Sequence, residues 1–200
     1  MKPKFSTLIL LTVVCAVLLT PFVFSPNYIP ALRLNDFDLY LTFQSDLYKQ
    51  ITGYLSLIFV ILEMILTFRK RGRSWKIKIK VPGSIQLWRS LHIFLGIALV
   101  GSTLIHTIGV RGLNFNAIFL WIFFLVTLSA LVGVVAETGI VESSQRYFRF
   151  SLFPATANSA ISKGVLIRNL RGIWLTTHLI LVSMFLVMLI FHIIIAYYYQ

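Results

Sequence analysis

Four histidines are the residues of this chain best suited to chemistry: His92 and His106 lie in one long apolar run, His178 and His192 in another, and each pair is fourteen residues apart. At about 1.5 Å and 100° per residue, fourteen helical residues advance about 21 Å and fall roughly 40° short of four whole turns. Each pair therefore shares one face of its helix. Ionisable groups within a bilayer are costly unless satisfied, and they mark function by default. Imidazoles from two facing helices can fill both axial positions of a haem iron while apolar side chains receive the porphyrin. The spacing predicts two stacked bis-histidine haem b groups, one near each surface of an apolar layer about 30 Å thick. Zinc is disfavoured, because each level offers two histidines and no cysteine or nearby carboxylate to complete four ligands.

The elements that must position these residues are set by composition. Of the 200 residues 58% are hydrophobic and 12% charged, with a mean hydropathy of +0.87, which predicts an all-α integral membrane protein. Apolar runs at 5–24, 50–68, 90–110, 117–136 and 174–198 are each long enough to span. They predict a five-helix transmembrane bundle: an N-terminal helix and outer loop over 1–49, then a four-helix haem-binding core over 50–200. The single cysteine, Cys15, forms no internal disulfide, and there is no C-x-x-C-H motif for covalent haem attachment.

The net charge of +12 is concentrated in the connections. The stretch 69–89 carries Arg69, Lys70, Arg71, Arg73, Lys76, Lys78, Lys80 and Arg89, and 137–173 carries Arg146, Arg149, Lys163, Arg168 and Arg171. With Lys2 and Lys4 these fall on one side of the membrane, and only Arg33, Lys49 and Arg111 on the other. That distribution reads as topology and contact with anionic membrane lipid, not as nucleic-acid binding. It predicts a cytoplasmic amino terminus and an outer carboxyl terminus, in a membrane such as the bacterial inner membrane. The first run also resembles a signal peptide, but Pro21, Pro26 and Pro30 interrupt the region and no clear cleavage site follows, so an uncleaved helix is favoured.

The third and fifth spans enter from the same side, because one helix returns the chain between them. The expected pairing is therefore His92 with His178 at the inner level and His106 with His192 at the outer level. Arg89, three residues before His92, and Arg168 and Arg171, ten and seven before His178, are candidates for the inner propionates, with interfacial snorkelling as the plainer role. Arg111, five residues after His106, is the candidate for the outer ones. Gly96 and Gly101 could let porphyrin approach the backbone, or could serve helix packing. Glu63 is expected either to accept a proton in electron or quinone chemistry or to pair with Arg69 or Arg89. Trp88, Trp121, Trp174 and Tyr197 to Tyr199 fit an aromatic belt at span ends. The alternation Lys76-Ile77-Lys78-Ile79-Lys80 suggests a short strand or an interfacial stretch.

Thr52-Gly53-Tyr54-Leu55, the basic run Arg69-Lys70-Arg71, Leu91-His92-Ile93-Phe94-Leu95-Gly96 through His106, and His178 through His192 together resemble the ferric reductase-like transmembrane domain superfamily. The likeness covers about residues 50 to 198. It implies that the four histidines are the axial ligands of two b-type haems that carry electrons across the membrane. The oxidase branch commonly has one residue fewer between the ligands of its second haem helix, whereas both spacings here are equal. No G-x-G-x-x-G occurs, so neither a flavin nor a nicotinamide domain is expected and the donor must come from elsewhere.

The expected function is that of an electron-transfer subunit of an oxidoreductase. Its partner would be a flavoprotein, an iron–sulfur protein, a multihaem cytochrome c or the quinone pool. Two alternatives stay open: a quinol-linked cytochrome b anchor of a larger respiratory complex, with quinone as a further cofactor, and a cofactor-free assembly or proton-pathway subunit.

Overall fold

The structure is a computed structural model that describes residues 3–71, 82–108, 110, 114–148 and 160–198. Among them are seven helices: α1 (Phe5–Val23), α2 (Ser25–Asn35), α3 (Phe37–Gln44), α4 (Asp46–Arg71), α5 (Ile85–His106), α6 (Phe115–Glu142) and α7 (Lys163–Tyr198). A two-residue antiparallel pair, β1 (Tyr147–Phe148) and β2 (Ile161–Ser162), stands between α6 and α7, with Tyr147 opposite Ser162 and Phe148 opposite Ile161. Helices α1, α4, α5, α6 and α7 are long and apolar enough to cross a membrane. The Lys76–Lys80 alternation, Arg111 and the side chains of Arg69, Lys70 and Arg71 lie outside the described residues.

Two expectations need correction. The segment after the first span, read as a loop interrupted by prolines, is almost wholly helical. Pro26 stands in the first turn of α2, where the missing N–H has no intrahelical partner to lose. Asp36 then caps α3, its carboxylate accepting from the Leu39 N–H at 3.0 Å. The last helix, expected from 174, starts at Lys163. Its 36 residues span about 54 Å, well beyond an apolar layer of about 30 Å.

The chain forms two compact units. The first holds residues from Val13 to Asn114 and the second Lys4–Thr12 with Phe115 onward, so α1 contributes to both. In each unit an antiparallel pair of long helices carries two histidines on its second helix, α5 or α7. Leu99 lies seven residues from both His92 and His106 and is buried; Phe185 lies seven from both His178 and His192 and is likewise buried. The phenyl ring of Phe185 stacks on Phe119 at 5.2 Å and packs against Phe123 at 5.6 Å, so the histidine face of α7 is turned to α6.

Lysines close two helix ends whose last carbonyls lack intrahelical partners. Lys49 Nζ donates to the carbonyls of His106 at 3.0 Å and Ile108 at 2.8 Å, while the Tyr48 hydroxyl donates to Ile105 at 3.0 Å. In the second unit Lys163 Nζ donates to the carbonyls of Val141 at 2.8 Å and Ser143 at 2.7 Å. Much of the remaining helix surface is apolar and exposed, including Val17, Ile58, Phe94, Ile180, Phe191 and Ile194. Water would make that surface unfavourable and lipid would not, so the chain is read as an integral membrane protein in contact with lipid.

Candidate functional site

Helix α4 meets α5 through small and polar residues. The hydroxyls of Ser56 and Ser102 lie 3.3 Å apart in the buried seam. A Cβ on Gly53 would stand 3.1 Å from His106 Cε1, so the bare backbone there gives the imidazole its place. His106 Nδ1 lies 3.1 Å from Thr52 Oγ1. The Thr52 hydroxyl also lies 2.7 Å from the Tyr48 carbonyl, to which it can donate. About four turns nearer the other end of α5, His92 Nδ1 lies against the Glu63 carboxyl group.

The second unit repeats this pattern with different residues. His178 Nδ1 lies 3.0 Å from Ser129 Oγ, which also lies 2.7 Å from the Val126 carbonyl. His192 Nδ1 lies 3.0 Å from Asn116 Oδ1, and its ring packs on Phe119 at 5.4 Å. Further along α6, Gly133 receives the indole of Trp174, so close that a Cβ would fall 2.5 Å from the ring. One turn beyond, Glu137 pairs with Arg171. Ser129, Gly133 and Glu137 step along α6 while His178, Trp174 and Arg171 step back along α7, which is the register of an antiparallel pair.

All four histidines are half-buried, and each sets its Nδ1 beside a polar side chain of the helix that precedes its own. Where Nδ1 carries the proton of a neutral imidazole, the lone pair is on Nε2. Among the described residues no three His, Cys, Asp or Glu side chains lie together as a metal-binding group. A haem iron takes only two axial ligands from protein, so it would not require such a group.

Several other expectations resolve differently. Glu63 lies against His92, where the α4–α5 register places it; the side chain of Arg69, one of its expected partners, lies outside the described residues. Arg171 is committed to Glu137; with its side chain 55% exposed, the pair contributes under about 1 kcal/mol. Trp174 is about three turns inside α7 and packs into the Gly133 notch. Its Nε1 is buried without a hydrogen-bond partner among the described residues. Arg89 and Arg168 are exposed. A Cβ on Gly96 would meet only Glu63 Oε1, at 3.9 Å, and one on Gly101 nothing within 4 Å, so neither glycine serves a close helix contact.

Thr52, Asn116, Ser129, Gly133 and Glu137 received no role from the sequence. Their signal was that of polar or small residues in apolar runs just upstream of each histidine helix, at positions an antiparallel turn would bring opposite. Comparison with family models, curated proteins and solved structures finds no match to this chain.

Proposed function

We propose that this chain is a membrane electron-transfer subunit, similar to the ferric reductase-like transmembrane domain, in which His92, His106, His178 and His192 hold two b-type haems. The observation that supports this reading is a shared placement: each histidine of the chain sets its Nδ1 beside a polar side chain of the helix before its own, Glu63, Thr52, Ser129 or Asn116. Haem bound at each level would supply a one-electron iron couple.

The residues do the rest. Thr52, Glu63, Ser129 and Asn116 fix ring orientation, and helices α5 and α7 separate the ligands of the two levels by about 21 Å. Leu99 and Phe185, midway, keep that interval apolar. The open space at Gly96 and Gly101 suits a flat ring beside α5. The buried, unpartnered Trp174 Nε1, one turn before His178, suits a polar group of a bound cofactor. Arg89 and Arg168 at the inner side and Arg111 at the outer side suit propionates. With α5 and α7 entering from the cytoplasm, the pairs are His92/His178 and His106/His192. The electron donor and acceptor are a flavoprotein, iron–sulfur protein, multihaem cytochrome c or quinone at the two faces.

A proton pathway is the second reading, favoured only by the Glu63–His92 pair. An absorption spectrum of the purified protein separates the two. A reduced b-type band with two haems per chain by pyridine haemochrome supports electron transfer, and a chain purified without haem, unable to take it up, refutes it. Thr52→Val sharpens the test: it keeps the shape but removes the acceptor for His106, and haem affinity at that level is expected to fall about 10- to 100-fold. Unchanged occupancy would leave the Nδ1 contact without a role.

A further inference from the structure

Arg171, Trp174, His178 and His192 of α7 each meet a polar or small residue of α6, and for all but one that neighbour is a polar partner. Arg171 pairs with Glu137, His178 Nδ1 lies 3.0 Å from Ser129 Oγ, and His192 Nδ1 lies 3.0 Å from Asn116 Oδ1. Trp174 meets Gly133, against which its indole sits so closely that a Cβ there would fall 2.5 Å from the ring. Its Nε1 is buried and has no hydrogen-bond partner among the described residues. An indole nitrogen can only donate, and a buried Trp N–H ordinarily finds an acceptor. The notch fixes the ring, so the N–H cannot swing to a new partner without leaving it.

We infer that the Trp174 indole N–H is the buried donor for a carboxylate of the porphyrin held at the His178 level. This rests on the haem-ligand reading above. Trp174 precedes His178 by one turn, about 6 Å along the axis, and the two rings pack at 6.4 Å, so a group bound at the imidazole lies within reach of the indole. The direction is that of the amino end of α7, where Arg168 is exposed and adds positive charge. That end therefore suits an anionic oxygen better than a neutral carbonyl, and a hydrogen bond to an ionised acceptor is the stronger kind. Arg171, expected in this role from its place in the sequence, is committed to Glu137, which leaves the role to Trp174.

Titration of the haem-depleted chain with two iron porphyrins tests this, in a His192→Ala background so that the His178 level is filled alone. Protohaem carries carboxylates, and iron octaethylporphyrin carries none. Trp174→Phe keeps an aromatic ring for the Gly133 notch but removes the N–H. It should weaken protohaem binding about tenfold and leave the octaethyl compound unchanged. Equal weakening of both would mean that the ring acts by packing alone. Either that result or unchanged binding of both overturns the inference and leaves the ligand reading intact. The second readout is the Trp174 indole N–H signal in NMR, identified by its loss in Trp174→Phe. With reduced protohaem it should move further downfield than with the reduced octaethyl compound, whose ring current is similar. The same position with both, or a downfield position reached on adding phospholipid to the haem-free chain, also overturns the inference. A chain that binds neither porphyrin overturns the ligand reading as well.

Discussion

Replacing His106 or His192 by alanine is expected to halve the haem content, from two per chain to one, and to abolish electron transfer across the membrane while leaving the inner level reducible. Under the proposed ligation each substitution would remove one of two axial ligands at the same level, and the other level would keep both. Pyridine haemochrome analysis measures the stoichiometry, and stopped-flow reduction from the inner face measures what remains. The two variants must behave alike, although His106 belongs to α5 and His192 to α7, because the proposed pairing joins them at one iron. Retention of both haems in either variant, or loss of different haems in the two, contradicts the pairing. Their effects on folding should be modest by comparison. Both imidazoles are half-buried, and a hydrogen bond such as the one each makes with Thr52 or Asn116 is worth about 0.5–1.5 kcal/mol.

Gly133→Ala should be the most disruptive small substitution in the second unit. The new methyl group would stand 2.5 Å from Trp174 Cδ2 and 2.7 Å from Cγ, inside van der Waals contact with a rigid fused ring. Either the indole moves or α6 and α7 separate, at a cost of about 1–3 kcal/mol. Because Trp174 precedes His178 by one turn and packs against it at 6.4 Å, the His178 level should lose haem before the His192 level does. Thermal unfolding in detergent, followed by tryptophan fluorescence, reads the stability, and the haem spectrum reads the second effect. Gly172→Ala is the control on the same helix pair. A Cβ there meets nothing within 4 Å, and alanine gains up to about 1 kcal/mol of helix propensity over glycine. Equal melting of the two variants would mean that the Gly133 notch does not hold the indole.

The seven-residue intervals from His92 to Leu99 to His106, and from His178 to Phe185 to His192, explain why so much of the architecture was legible. A helix with 3.6 residues per turn returns nearly to the same face after seven and again after fourteen. The apolar runs gave the five long helices for the same local reason. The segment after α1 was harder to read, since proline breaks a helix interior yet fits its first turn, and Pro26 does the latter. The early start of α7 was hidden because Arg168 and Arg171 lower the hydropathy of its first turns without opposing helix formation. The contact of Glu63 with His92 was not legible because an arginine is the usual expectation for a carboxylate near an interface, whereas this imidazole is almost thirty residues away in sequence.

The sequence by itself determined where the helices lie, which face of each carries its histidines, and how far apart along the helix the members of a pair stand. All of these follow from short-range periodicity. Only the tertiary structure decided which atoms hold the rings: Thr52 and Glu63 from α4, Ser129 and Asn116 from α6. Those choices depend on the register between two antiparallel helices, and periodicity within one helix leaves register free. It is fixed by where the backbones can approach, at Gly53 beside His106 and Gly133 beside Trp174, and by the need of each buried hydroxyl, amide and carboxylate for a partner.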